Sequence, residues 1–361
     1  MNRSFGLPHH TEVSAKDQVQ KDGWGFGKQP LPPGTPKAVL PLELGIKDDQ
    51  TLRFLVFGDC GGVLNPGPQE HVAAAMATVI AEVKPAFALI VGDLIYFNGA
   101  PAQWPIQFYE PYATTLSGVP IIAFPGNHDG DPCPLTPGSG IASFMANMCT
   151  AKPEIPPGDP QFEYGRHTQT LPYCDWTLAA EAFTLITLWS NVPSGGHLYP
   201  SQTDYLTAQL KAARSTVPCI VGLHHPPYSV DSHHGGSLRM GKALDAAFAA
   251  ARRCPELVLS GHVHNYQRFT RTVQDPVMTG GQKYVGNVTY LVSGNGGYHN
   301  LHKLAHDATP GLEVTTDTTF RKGDDKDYGF CVLTASPAGL TGEYVAVDHH
   351  SGTVIRHADT F

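Results

Sequence analysis

The sequence has no Cys-x-x-Cys pair among its 7 cysteines, no block of basic residues and no hydrophobic leader. It also has no apolar run approaching the ~20 residues of a membrane helix. Each lack excludes a class. Without paired cysteines, a zinc–thiolate site or a thioredoxin-like redox motif is out. Without the long run, no membrane association is expected. Lys+Arg number 24 against 32 Asp+Glu, a formal charge of −8, so a nucleic-acid-binding surface is not expected either. The opening residues, Met1 to His10, give a cytoplasmic expectation as written, or a secreted or periplasmic one if a leader has been removed. Cys133, Cys149 and Cys174 share a loop-rich region with room for a disulfide, but free thiols throughout are the preferred reading.

What is present is a 361-residue chain, 41% apolar, with 38 glycines, 31 prolines and 18 histidines. That length buries a sizeable core, as one large domain or two smaller ones. Residues 1–50 are polar and aperiodic, with prolines crowded from Pro30 to Pro36, and read as an N-terminal extension or arm. Organised structure begins with residues 51–361. Leu52–Phe57, Phe87–Val91 and Ile121–Phe124 are short apolar runs of the kind that form buried strands. Helical spacing over Gln69–Val83 joins the first two in a βαβ unit, and Gln103–Leu116 is a second helix despite Pro105 and Pro111. Residues 130–175 read as a long proline-rich excursion with one short helix near Ile141. Further strands are expected at Phe183–Trp189, Pro218–Leu223 and Glu256–Leu259, with helices at Ser201–Arg214 and Leu238–Arg253. Strand-like segments then dominate: Tyr284–Val292, Tyr328–Thr334, Gly342–Val347 and Thr353–Arg356.

The chemistry collects at the strand ends. The first run stops in Gly58-Asp59, the second in Gly92-Asp93 with Tyr96 close behind, and the third in Gly126-Asn127-His128-Asp129. Later runs stop in His224-His225 and in Gly261-His262-Val263-His264. Carboxyl ends of strands in an α/β sheet are where such folds place their sites. Asp59, Asp93, Tyr96, Asn127, His224, His262 and His264 form a mixed nitrogen and oxygen donor set suited to iron, manganese or zinc. Seven donors are too many for one tetrahedral ion but fit two ions sharing a carboxylate, a pair able to clamp a phosphoryl group and activate water.

Gly58-Asp59-Cys60-Gly61, Gly92-Asp93-Leu94-Ile95-Tyr96, Gly126-Asn127-His128-Asp129, Val221-Gly222-Leu223-His224 and Gly261-His262-Val263-His264 resemble the five ordered blocks of the calcineurin-like metallophosphoesterases. The version is that of the purple acid phosphatases. Gly61 stands where the wider superfamily has a histidine, and Tyr96 fills the place of a phenolate ligand to ferric iron. The resemblance implies an α/β fold of two packed mixed sheets flanked by helices, a four-layer sandwich, with residues 51–361 as the catalytic domain. It implies one ion held by Asp59, Asp93, Tyr96 and His264, and a second by Asp93, Asn127, His224 and His262, with Asp93 bridging. The pair would be iron plus a divalent ion, iron, zinc or manganese. His128, His233 and His234 would meet the substrate phosphate, the last two as imidazolium, one of them protonating the leaving alcohol. His225 is either a phosphate neighbour or the partner that orients His224. Asp129 stands where many relatives have glutamate. Gly294-Asn295-Gly296-Gly297 reads as a tight turn near the site. The expected function is hydrolysis of small phosphomonoesters by metal-activated hydroxide. The alternative is phosphodiester cleavage of nucleotides or glycerophospho-compounds at the same metals, and the contrasting class is a non-catalytic phosphate- or metal-binding protein.

Overall fold

The computed structural model describes residues 39–40, 51–131, 135–136, 138–150, 152–169, 171, 173–190, 196–275 and 284–361. Two mixed sheets carry it. The smaller contains β2 (Leu52–Phe57), β3 (Phe87–Ile90), β4 (Ile121–Ala123), β12 (Tyr328–Ser336), β13 (Gly339–Val347) and β14 (Val354–Thr360), in the order β14-β13-β12-β2-β3-β4. The larger contains β1 (Val39–Leu40), β5 (Trp176–Ala179), β6 (Thr184–Leu188), β7 (Cys219–Leu223), β8 (Leu257–Ser260), β9 (Tyr266–Asp275), β10 (Tyr284–Ser293) and β11 (Thr318–Asp324). Its order is β1-β5-β6-β7-β8-β10-β9-β11. Strands β2, β3 and β4 run parallel, as do β6, β7, β8 and β10, while the remaining pairings are antiparallel apart from β1 on β5.

Parallel strands buried on both faces read as unbroken apolar runs, which is why the sequence shows them clearly. Their period of two then divides the side chains between two cores. Phe54 and Phe87 stack at 4.7 Å, and Phe183 joins Phe54 at 5.2 Å across the gap between the sheets. The Trp176 indole N–H donates to the Ala123 carbonyl across the same gap, at 3.2 Å. Leu185 and Ile220 face this inter-sheet core, while their neighbours Ile186 and Val221 face helices α3 (Pro200–Ala212) and α4 (Leu238–Ala251). Helix α1 (Gly67–Val83) lies against β12 and β13 and ends at Lys84 in a left-handed turn before Pro85. Ser237 caps α4 by accepting from the Met240 N–H at 3.2 Å. Four layers result, helix, sheet, sheet, helix.

Several readings need adjusting. The second helix is a mixed helical stretch from Pro101 to Tyr112, shorter than Gln103–Leu116 at its far end, and the short helix α2 spans Ile141–Met148. Strands β5, β9 and β11 were not anticipated. Of the 1–50 arm, Val39–Leu40 alone is described, and it adds a strand to β5. The proline run Pro30–Pro36 lies outside the described residues. Cys60, Cys149, Cys174, Cys219 and Cys331 are free thiols, and Cys133 lies outside the described residues. Among the described residues no helix is long and apolar enough to cross a membrane.

Candidate metal centre

All seven predicted donors converge where β2, β3, β4, β7 and β8 end. The loops lock together through the backbone: the Asp59 N–H donates to the Gly92 carbonyl at 3.0 Å, and the His128 N–H donates to Asp93 Oδ1 at 2.8 Å. Such closeness explains the glycines. A Cβ at Gly126 would sit 2.1 Å from Asp93 Oδ1, and one at Gly92 would sit 2.3 Å from His224 Nδ1. Three of the donors hold left-handed backbone, Asp59 (φ 53°), Asp93 (φ 53°) and His262 (φ 68°). Non-glycine residues in this region carry strain, which collects at functional sites.

Two groups of donor atoms appear. In the first, the Tyr96 hydroxyl lies 3.5 Å from Asp59 Oδ1 and 3.3 Å from His264 Nε2, and His264 Nε2 lies 3.5 Å from Asp59 Oδ1. In the second, Asn127 Oδ1 lies 2.8 Å from His262 Nδ1 and 3.2 Å from His224 Nε2, which is itself 3.2 Å from Asp93 Oδ2. Metal–donor bonds of roughly 2.0–2.2 Å put adjacent donors about 3.0–3.5 Å apart, and five of these six spacings fall in that range, the exception being the 2.8 Å between Asn127 and His262. Tautomers are set from behind. The His224 Nδ1–H donates to the Val91 carbonyl at 2.8 Å and the His264 Nδ1–H to the Asn300 carbonyl at 2.9 Å, turning each Nε2 toward the carboxylates.

The electrostatics call for cations. Asp59 and Asp93 are buried, and among the described residues their ion-pair partners are histidines alone. Burial pushes the Asp59 carboxyl well above its ordinary range, His224 opposing and Asp93 reinforcing. Asp93 goes the other way, since His224 and His128 outweigh its burial. Burial favours neutral His224, yet Asp93 and Asp59 lift it to about 9. Burial and neighbouring imidazoles hold His262 and His264 well below the ordinary range, so both present lone pairs. Burial, with Asp59 and Asp93 nearby, raises the Tyr96 phenol well above 10. Two buried carboxylates, neutral imidazoles, an amide oxygen and a phenol fit a pair of hard-to-borderline cations.

The surrounding residues divide. The His128 Nδ1–H donates to the Phe97 carbonyl at 2.7 Å, leaving Nε2 at the site, and its ring packs on Tyr96 at 4.5 Å. His234 stacks on His262 at 4.7 Å, and His233 lies beside it. The imidazolium reading fails for His234: burial and the adjacent His302 and His233 lower it to about 4. His225 does not orient His224, a task the Val91 carbonyl performs; its Nδ1 lies 2.7 Å from the Ser190 hydroxyl. Asp129 accepts from the Leu94, Ile95 and Gly126 N–H groups at 2.9–3.0 Å, tying the loop after β3 to the loop after β4. Gly61 is packed against this side: a Cβ there would lie 2.6 Å from the Leu94 carbonyl oxygen and 3.0 Å from the Tyr96 ring. Gln107 Oε1 would be nearer still, at 2.3 Å, so the glutamine, the Leu94 carbonyl and the tyrosine together fill the space a histidine would need. Gly294–Gly297 is a tight turn against the site, where a Cβ on Gly294 would meet the Val263 carbonyl oxygen at 2.1 Å. Tyr298 and His302, not anticipated, follow this turn: Tyr298 stacks on Tyr96 at 4.0 Å and His302 on His264 at 4.3 Å. The one available signal was the histidine density of the segment Tyr298–His302.

The family model of the calcineurin-like phosphoesterases matches residues 52–266, more than half of the chain. The chain belongs to the calcineurin-like phosphoesterases. Relatives among characterised families of this phosphoesterase group include a protein named probable purple acid phosphatase 20, of Arabidopsis thaliana, 25% identical over 75% of this chain and 58% of its own length. Another, of Rhodopseudomonas palustris, is named a probable cyclic nucleotide phosphodiesterase and is 28% identical over 55% of this chain and 64% of its own. The chain thus spans about three-fifths of the length of these relatives. A purple acid phosphatase from yellow lupin seeds has the same fold, with a TM-score of 0.59 at 20% identity over 86% of this chain and 53% of that one. Purple acid phosphatases in this phosphoesterase family are the subtype whose tyrosine-bearing second block this chain shares, and such relatives imply a dinuclear metal centre.

Proposed function

We propose that this chain is a binuclear metallohydrolase that cleaves small phosphomonoesters, with residues 51–361 as its catalytic unit and residues 1–50 as an arm. The observation that supports it most is the meeting of Tyr96 with Asp59 and His264 in one donor group, beside a second group built on Asn127, His224 and His262. Asp93, whose Oδ2 lies 3.2 Å from His224 Nε2, is the bridging donor in this reading. The phenol favours ferric iron in the first position and leaves zinc, manganese or ferrous iron for the second. Two such cations neutralise phosphoryl charge and activate water for in-line attack.

The chain's own groups do the rest. Asp129 holds the two loops that aim Asp93 and Asn127, so the donors keep their geometry before metal arrives. With its Nδ1–H committed to the Phe97 carbonyl, His128 would meet a phosphoryl oxygen through Nε2 only when that nitrogen carries a proton as well. His233, exposed, is placed to meet the leaving-group side, and neutral His234 serves as a hydrogen-bonding wall there. A second reading keeps the metals and takes phosphodiesters, and the Rhodopseudomonas relative favours it. The deciding experiment loads the full chain with iron and zinc and compares p-nitrophenyl phosphate with bis(p-nitrophenyl) phosphate, alongside metal analysis. A higher kcat/KM on the monoester is expected. A higher value on the diester would transfer the assignment to the second reading, and turnover of neither by metal-loaded protein would end both.

A further inference from the structure

Phe97 is 46% exposed, and among the described side chains it is the one phenylalanine, tyrosine or tryptophan left exposed. Exposed aliphatic residues such as Leu64, Ile106 and Ile155 are ordinary on a protein surface. Phe97 differs in its place, directly after the donor Tyr96 and beside His128. We infer that Phe97, backed by Tyr298, is a specificity-determining residue that stacks on a planar aromatic ring in the organic part of the phosphoester.

The backbone beneath the ring is braced from several sides. Buried Gln107 accepts from the Tyr96 N–H at 2.9 Å and donates to the Tyr96 carbonyl at 2.8 Å. The Phe97 carbonyl accepts from the His128 Nδ1–H at 2.7 Å, and the Asn98 carbonyl accepts from the Gly140 N–H at 2.7 Å. The ring thus stands on a fixed base with two side-chain torsions to settle, and meeting a ligand costs it little entropy. Its neighbours are aromatic as well. Phe97 lies edge-to-face with Tyr298 at 6.3 Å and 87°, and with His128 at 6.1 Å and 70°. Tyr298, partly exposed, lies flat on Tyr96 at 4.0 Å, which fixes its own plane. Offset-stacked and edge-to-face arrangements are the favoured ones for aromatic pairs, and both kinds are open to a ring arriving beside Phe97 and Tyr298. A protein partner would need roughly 800 Å² on each side, far more than one ring provides, so the surface suits a small planar group. With a phosphoryl group at the metal donors and His128, the organic part of the ester is within reach of that surface.

The inference rests on the proposed phosphoesterase reading, and its test separates the two. Full-length protein loaded with iron and zinc is titrated calorimetrically with 2-naphthylphosphonate and with methylphosphonate, neither of which has an ester bond to cleave. Wild type, Phe97→Ala and Phe97→Tyr are compared, with thermal melting as a check on folding. The readout is the ratio of the two affinities within each protein. That ratio should fall about tenfold in Phe97→Ala, the worth of one well-placed aromatic contact, and hold in Phe97→Tyr. An unchanged ratio in Phe97→Ala would overturn the assignment, as would an equal fall in Phe97→Tyr; methylphosphonate binding in the same runs would leave the metal and phosphoryl reading standing. Binding of neither phosphonate to any of the proteins would overturn both.

Discussion

Replacing Tyr96 with phenylalanine isolates one oxygen atom. The ring is held by packing on three sides, stacked on Tyr298 at 4.0 Å, against His128 at 4.5 Å and edge-on to Phe97 at 6.1 Å. Phenylalanine keeps every one of those contacts. Among the described residues the hydroxyl has only the long approaches to Asp59 at 3.5 Å and His264 at 3.3 Å. Its loss from metal-free protein should therefore cost no more than ~1 kcal/mol. For a chain of this size that is about 1–3 °C in Tm. Metal binding should respond far more. Removing one donor of four weakens the first ion by at least the ~10–100-fold seen when an outer partner is removed. A further signature is optical. Burial beside two carboxylates keeps the phenol protonated in the metal-free protein, so a phenolate forms only with a cation bound. Protein loaded with iron under air should be violet to pink through phenolate-to-iron charge transfer, and Tyr96→Phe should be colourless. Visible spectra of the two proteins, with iron content measured on each, test it. A visible band unchanged in Tyr96→Phe at equal iron would refute the reasoning.

Asp93→Ala should release both ions and Asn127→Ala chiefly the second, because a carboxylate between two donor groups serves two cations and an amide oxygen serves one; elemental analysis reads the difference. Asp129→Asn should destabilise metal-free protein by ~2–4 kcal/mol, since a neutral amide cannot satisfy the Leu94, Ile95 and Gly126 N–H groups together, and urea unfolding measures this. In metal-free protein His224 titrates near 9 rather than its ordinary 6.5, so it contributes stability that is complete below pH 6.5 and lost as pH rises through about 9. Melting temperatures of metal-free protein should fall across that window, and those of metal-loaded protein, where His224 is a neutral ligand, should not follow.

How much of this the sequence discloses depends on how each element is buried. Strands β2, β3, β4, β7 and β8 lie inside both layers, so their runs are continuous and end where the backbone must turn tightly. That turn carries the donor, and strand and ligand are legible together. Strand β9 hides because Arg268 and Arg271 interrupt its pattern. Arg268 is matched by Asp359 at 2.6 Å, and Arg271 by Asp245 at 2.6 Å and Asp317 at 2.9 Å, partners far away in the chain. Four-residue β5 is too short to show a period. At the site, His302 was not legible because no strand delivers it: the turn Gly294–Gly297 and the loop after it bring it back against His264. The lowering of His234 was equally beyond reach, being set first by burial and then by His302, which only the fold brings near.

The left-handed backbone at Asp59, Asp93 and His262 sets stability against activity. Each such residue costs about 1–2 kcal/mol that glycine would not incur. Three together approach ~3–6 kcal/mol, a sizeable share of the ~5–15 kcal/mol that holds a domain folded. Glycine at any of the three would relax the chain and delete a donor in the same step. A laboratory screen that rewards heat resistance alone would therefore drift toward empty sites, and a duplicated copy released from selection for catalysis would be expected to change first at these same three positions.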